Sequence, residues 1–396
     1  MAMPIGTKEI APGVYWVGIK DHNRRLFDGL IPLPYGTSYN AYLVVGKDKV
    51  ALIDTVNPGF EHELVDKISA HVDPAKIDYV VMNHAEPDHA HAGSHVLGIA
   101  KNAKLVASAK GKEAAMMYFD TPAERIMVVD ESSKIDLGGK TLKFVDAPWL
   151  HWPETIFTYL EEDGILFPCD FFGSHVAMGD FYADEFGNGK SLDMAKLYFA
   201  EIMMPFRKPG ANAVEKVRKL NPKIIAPSHG VIWRDPKVIM EPYSKWTTEQ
   251  MEKKVMIAYV SMWGSTGKMV KALNEELVKR DVIVNVFDIP ATDVGHIAKE
   301  LIDTPVVVIG GPTVLNLIHP SAAYATLLAK QLRAPTKYVA LLTSHGWSGG
   351  AVKFVQSLLE GMKVEVLDAI DVKGPPKQAE FDRIAQLADK IVEKLK

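Results

Sequence analysis

The chain has 396 residues, a formal net charge of −4, 47% hydrophobic and 24% charged residues, and one cysteine, Cys169. That length fits two or three soluble domains with sizeable cores, and that charge offers no electrostatic footprint for nucleic acid or for an anionic membrane surface. A single cysteine excludes disulfides, tetrathiolate zinc sites and cysteine-ligated iron–sulfur clusters within one chain.

The N-terminal MAMPIGTKEIAPG has no apolar signal core and no later run is long enough to span a bilayer, so a cytoplasmic location is expected. YNAYLVVGKDKVALIDT, residues 39–55, reads as two strands about a Gly-Lys-Asp turn. IDYVVMNH, residues 77–84, reads as a short buried strand. It runs into NHAEPDHAHAGSH, residues 83–95, expected here as a tight loop with four histidines and two carboxylates. Further strands follow in KLVASAK, in IMVVDESSKIDLGGKTLKFVDAPWLHWP and in TIFTYLEEDGILFPCD. Helices are expected around 192–203 and over 208–220, then a strand in KIIAPSHG, residues 223–230.

Beyond 251–254 the pattern changes. Apolar runs (VMIAYV, VIVNVFDI, PVVVIGG, KYVALLT, KVEVLDAIDVKG) alternate with helical segments. Five βα units of this kind predict an open parallel sheet with helices on both faces. The boundary is placed at 252, giving domains 1–252 and 253–396.

In the first half, His84, Glu86, Asp88 and His89 are joined at later strand ends by His151 in LHWPET, Asp170 in PCDFFG and His229 in PSHG. Strands of one sheet architecture can aim all seven at one point. Four imidazoles and three carboxylates suit two metal ions that share a bridging carboxylate and keep open positions. His91 and His95 fit no ligand slot and are assigned surface or supporting roles. His175 and His345 are weak ligand candidates.

In the second half, SMWGSTGKM, residues 261–269, leaves a strand and opens a helix, so small residues and free N–H groups can hold a phosphate without a cationic side chain. It is not a Walker loop: the spacing is wrong and Met269 stands where Ser or Thr is needed. There is no G-x-G-x-x-G fingerprint. GGPTVLNL, residues 310–317, and TSHGWSGG, residues 343–350, leave later strands and can hold a planar ring between them.

The first set of motifs resembles the metallo-β-lactamase superfamily, whose usual pattern is H-x-H-x-D-H, with Glu86 in place of the second histidine. The second half resembles flavodoxin. Together HAEPDH, LHWPET, CD, PSHG, SMWGST and SHGWSGG, in that order across essentially the whole chain, resemble the flavodiiron proteins. The resemblance implies a metallo-β-lactamase-like αββα sandwich followed by a flavodoxin-like doubly wound parallel sheet. It implies an oxidoreductase that reduces O2 to water, NO to N2O, or both. Two iron ions per chain are implied, one on His84, Glu86 and His151, the other on Asp88, His89 and His229, with Asp170 bridging. FMN is implied, its phosphate on Ser261, Met262, Trp263, Gly264, Ser265 and Thr266. Its ring is implied at Pro312, Thr313, Asn316, Ser344, His345, Gly346, Trp347 and Gly349.

The resemblance also implies a head-to-tail homodimer, or a dimer of dimers, in which FMN of one chain faces iron of the other. A separate electron donor is implied, rubredoxin or reduced coenzyme F420. Two departures stand out. His91 follows D-H-A where relatives often have glycine, and Asp28 in FDG stands where several relatives have histidine, which leaves the O2-versus-NO preference open. A binuclear zinc hydrolase fused to a flavodoxin-like domain is the alternative, opposed by Glu86. A flavodoxin-type electron carrier with a merely structural first domain is opposed by the full ligand set.

Overall fold

The computed structural model describes residues 6–396; residues 1–5, part of the stretch lacking a signal core, lie outside it. The chain divides into two compact units that meet in sequence between Thr247 and Thr248.

The first unit is two sheets face to face with helices outside. The larger sheet runs in the order Lys8–Ala11, Val14–Trp16, Tyr42–Val45, Val50–Ile53, Tyr79–Val81, Lys104–Ala107 and Ile126–Val128. Its pairs are antiparallel up to Val50–Ile53 and parallel beyond. The smaller sheet holds Lys134–Asp136, Thr141–Asp146, Ile156–Leu160 and Ile165–Phe167 in antiparallel order, with Ile224–Ile225 added in parallel. The central strands are apolar throughout because both faces are covered. Leu43, Leu52 and Val80 meet Leu64 and Ile68 of helix Glu61–Ser69 and Val96 and Leu97 of helix Pro87–Ile99. The alternate residues Tyr42, Val44, Ile53 and Val81 meet Phe144, Ile156, Leu160 and Phe167 of the second sheet. This period-2 division makes the sandwich αββα.

The second unit has the strand order Ile283–Asp288, Lys254–Tyr259, Val306–Val314, Tyr338–His345, Glu365–Lys373, all parallel, with Leu317–Ile318 folded back on Val306–Val314. This is the flavodoxin order 2-1-3-4-5. Val255, Ile257, Val306, Val308, Ala340 and Leu342 pack under helices Ser265–Val278 and Gln378–Lys394 through Leu273, Leu277, Leu387 and Ile391.

Three local expectations need correction. The segment 83–95 is a turn followed by helix Pro87–Ile99 rather than a loop. Pro87 at the first helical position and Asp88 in the first turn favour a helix start. The strand expected over 77–84 is only Tyr79–Val81. The helix expected around 192–203 begins earlier, at Asn188, and from Phe199 to Met203 it widens to a π-helical turn.

Candidate functional site

Every predicted metal donor lies just past a strand end or at a helix start in the first unit. Asn83 pins the first turn. Its backbone N–H and side-chain amide donate to the two oxygens of Asp54 at 2.8 and 2.9 Å, and its Oδ1 accepts from Thr158 at 2.7 Å. Asp54 also accepts from Ser228 at 3.2 Å, so one buried carboxylate ties the turn carrying His84 to the turn carrying His229. Glu86 caps helix Pro87–Ile99 in extended conformation, and Asp88 and His89 follow within its first turn. His151 lies between strands Thr141–Asp146 and Ile156–Leu160, and Asp170 follows Ile165–Phe167.

The seven donors form two groups that share Asp170. In the first group, Glu86 Oε2 lies 3.2 Å from His84 Nε2 and 2.9 Å from His151 Nε2. Asp170 Oδ2 is 3.5 Å from His84 Nε2 and 3.6 Å from His151 Nε2. In the second group, Asp170 Oδ1 lies 2.9 Å from His89 Nε2 and 3.4 Å from His229 Nε2. Asp88 contacts the same two rings, at 3.5 Å through Oδ1 and 3.3 Å through Oδ2. Donors bonded to one ion at about 2.0–2.2 Å stand roughly 3.0–3.5 Å apart when their bonds diverge by roughly 90–110°. The observed spacings lie in or close to that range.

The chemistry of the donors fits metal as well. Both Asp88 oxygens and Asp170 Oδ2 are buried and accept no hydrogen bond. Buried carboxylate oxygens left this way favour a cation beside them. Burial alone would push the His84 and His89 rings down. Glu154, Glu86 and Asp170 override it at His84, holding that ring well above the usual histidine range. Asp88 and Asp170 override it at His89, raising that ring to about 9. Burial opposes ionisation of Glu86 and Asp170 too, yet the facing imidazoles hold both carboxyls low. The carboxylates thus favour protonated His84 and His89, and a bound cation would compete with those protons.

Several supporting residues escaped the sequence reading. Glu154 accepts from His84 Nδ1 at 2.8 Å and from the Ala85 amide at 2.9 Å. Three residues after His151 in LHWPET, it was within a motif already singled out. His229 Nδ1 donates to the Ser38 carbonyl at 2.6 Å. Such partners fix the tautomer and leave Nε2 for the metal. Glu154→Gln keeps the shape and removes the charge. It is expected to weaken metal binding about 10–100-fold, read as metal retained after dialysis against graded chelator. His175 belongs to neither donor group: its Nδ1 pairs with Thr37 Oγ1 at 2.9 Å, and burial and the charge of His229 push the ring well below the usual range. His91 is half exposed beside Glu61, and His95 packs against His62. The Asp28 carboxyl is raised by burial and by the charges of Glu86 and Asp88.

The second unit has a pocket of about 610 Å³ at the C-terminal ends of its strands. Ser261, Met262, Trp263, Ser265, Thr266, Pro312, Thr313, Asn316, Ser344, His345, Gly346 and Trp347 all line it. Gly264 and Gly349 do not. Gly264 instead precedes helix Ser265–Val278 at φ 88°, which turns the first helical N–H groups toward the pocket end of the strand. Val314, Leu315, Ser348, Gly374 and Pro375 complete the lining and were not foreseen. Thr313 Oγ1 is buried without a partner, and Trp263, Leu315 and Trp347 are 92%, 92% and 88% exposed. A phosphate-bearing planar ligand fits this combination of a helix N-terminus, an unpartnered hydroxyl and bare aromatic surface.

Residues 37–230 match the family described as "ODP family beta lactamase". The chain is 35% identical to the nitric oxide reductase of Moorella thermoacetica over the full length of both proteins. Its structure is similar to that of rubredoxin:oxygen oxidoreductase from Desulfovibrio gigas, at TM-score 0.94 and 31% identity over 98% of each chain. It is also similar to that of the flavodiiron protein from Giardia intestinalis, at TM-score 0.92 and 31% identity over 99% of each chain.

Proposed function

This chain belongs to the flavodiiron proteins, and from that premise we propose that it holds two iron ions in its first unit and FMN in its second, and reduces O2 to water, NO to N2O, or both. The observation that carries the metal reading is the division of Asp170, one oxygen to each donor group. Held there, two ferrous ions and a reduced flavin would supply electrons in the number that O2 reduction consumes. The chain supplies position and charge. Asp170, Glu86 and Asp88 set three negative charges against the ions, and hard oxygen donors suit iron better than an imidazole-only set. Glu154 holds the proton on His84 Nδ1, and the Ser38 carbonyl holds the one on His229 Nδ1. Trp152, 5.0 Å from His84 ring to ring, and Phe27, 6.1 Å from His229, wall the centre against bulk water.

Each cofactor site is flanked by bare apolar surface. Met117 and Trp149 are 67% and 51% exposed, Trp149 two residues before His151, and Tyr118 packs on Trp152 beside His84. Trp263, Leu315 and Trp347 do the same at the flavin pocket. Patches of this kind mark association surfaces. They support an assembly of at least two copies in which the flavin of one faces the irons of the other. Among the described residues no helix is long and apolar enough to cross a membrane.

Metal and flavin content per chain, followed by anaerobic titration with O2 and with NO, tests the assignment. Stoichiometric zinc without iron after iron-replete expression would sink it. For the dimer, His84→Ala is mixed with Thr266→Asp, the latter placing a carboxylate in the phosphate loop. Hybrid dimers are expected to regain up to about a quarter to a half of wild-type turnover, since one intact pair of sites survives per hybrid. Hybrids that form and stay inactive count against transfer between copies.

A further inference from the structure

His345 is the one ionisable side chain among the described residues that line the flavin pocket. It is also held. Its Nδ1 lies 3.1 Å from Asp371 Oδ1, and the same oxygen accepts from Thr343 Oγ1 at 2.7 Å. Asp371 comes from the neighbouring strand Glu365–Lys373, where its Cα pairs with that of Thr343, and Lys373 pairs with His345. The loop after His345 leaves room for the pair only because residue 349 is glycine. A Cβ there would stand 2.7 Å from Asp371 Oδ2 and 3.2 Å from His345 Nδ1.

The carboxylate keeps the proton on Nδ1, which leaves Nε2 as the nitrogen open to a second one. The charged groups around the ring are Asp371 and, across the strand pair, Lys373. The loops after the first and third strands of the sheet bring no charge into the pocket.

We propose that His345, positioned by Asp371, takes up the proton that balances the charge of the reduced flavin. The inference rests on the reading that this pocket holds FMN. A flavin that gains two electrons and one proton carries a negative charge on its ring. With the imidazole (Im) beside it, the balanced change is FMN + Im + 2 e⁻ + 2 H⁺ → FMNH⁻ + ImH⁺, the electrons coming from the external reductant that supports turnover. A cation in a pocket with no other positive side chain favours the reduced ring, and the reduced ring in turn favours the imidazolium.

The test is a redox titration of the intact flavoprotein at a series of pH values, followed by flavin absorbance, on wild type, His345→Gln, His345→Phe and Asp371→Asn, with FMN content measured on each. In wild type the flavin potential is expected to fall with pH about twice as steeply inside a limited pH window as above it, because two protons rather than one accompany the electron pair there. Both His345 variants are expected to lose the steep window. Asp371→Asn is expected to keep it but move it to lower pH, since a carboxylate that favoured the charged ring is gone. Fully flavinated His345 variants that retain the window, or a wild type that never shows it, overturn the role of His345. An unmoved window in Asp371→Asn overturns the role of Asp371. A chain that takes up no FMN even on reconstitution overturns the flavin reading together with this inference.

Discussion

Asp170→Ala is expected to empty both metal positions at once, cutting metal content from about two ions per chain to near none. The reason is geometric. Asp170 Oδ2 faces His84 and His151, whereas Oδ1 faces His89 and His229, so among the described residues it is the one carboxylate that reaches rings of both donor groups. Its loss also strips the buried rings of their nearest shared countercharge. Removing one member of a buried charge cluster costs about 3–5 kcal/mol, and the metal-free variant should lose stability on that scale in denaturant titration. Flavin content should stay at the wild-type level, because the pocket is built wholly from residues of the second unit. Elemental analysis beside a flavin assay checks both halves. A variant that keeps one tightly bound ion would mean that the carboxylate is not shared.

Glu86→His is expected to preserve metal binding but change the metal. It rebuilds the H-x-H-x-D-H pattern and trades a carboxylate 2.9 Å from His151 and 3.2 Å from His84 for an imidazole. The first position then carries one negative charge fewer, and the new donor is one that zinc accepts readily. Zinc should displace iron in protein grown with both. Reduction of O2 or NO should drop by about 10–100-fold or more. Metal content, flavin content and O2 uptake, compared on protein prepared in parallel, report on it. Full iron with wild-type turnover would move the choice of metal to the residues behind the ligands.

The clustering of these seven side chains was legible in the sequence for a chemical reason. Each sits in a short motif just after an apolar run, and few roles other than ligation bring His, Glu and Asp together at such spacing after strands. The parallel sheet of the second unit was legible from its strand–loop–helix alternation, but its order was not, because alternation does not say which strand lies in the middle. The supporting groups were hidden for another reason. Asp54 reaches Asn83 and Ser228 only once strands far apart in sequence are side by side, and nothing local marks it. The helix start at Pro87 was there to be read in the proline and the following aspartate, but the density of polar residues favoured a loop. Glu154 was harder to read because it holds His84 by a hydrogen bond and belongs to neither donor group.

The tie from Asp54 to Ser228 spans 174 residues, and the short strand Ile224–Ile225 that carries the chain toward His229 is the last to join its sheet in sequence. Closing so long a loop costs conformational entropy before any contact repays it, which makes this corner of the sandwich a late event in folding. During synthesis the chain emerges from its N-terminal end, so His84, Glu86, Asp88 and His89 are exposed well before His229 exists. That nascent segment is a partial chelator with no enforced geometry. If the centre is loaded with metal as proposed, its selectivity would belong to the finished sandwich and not to the motif, and loading after release from the ribosome would gain a discrimination that early loading would forfeit.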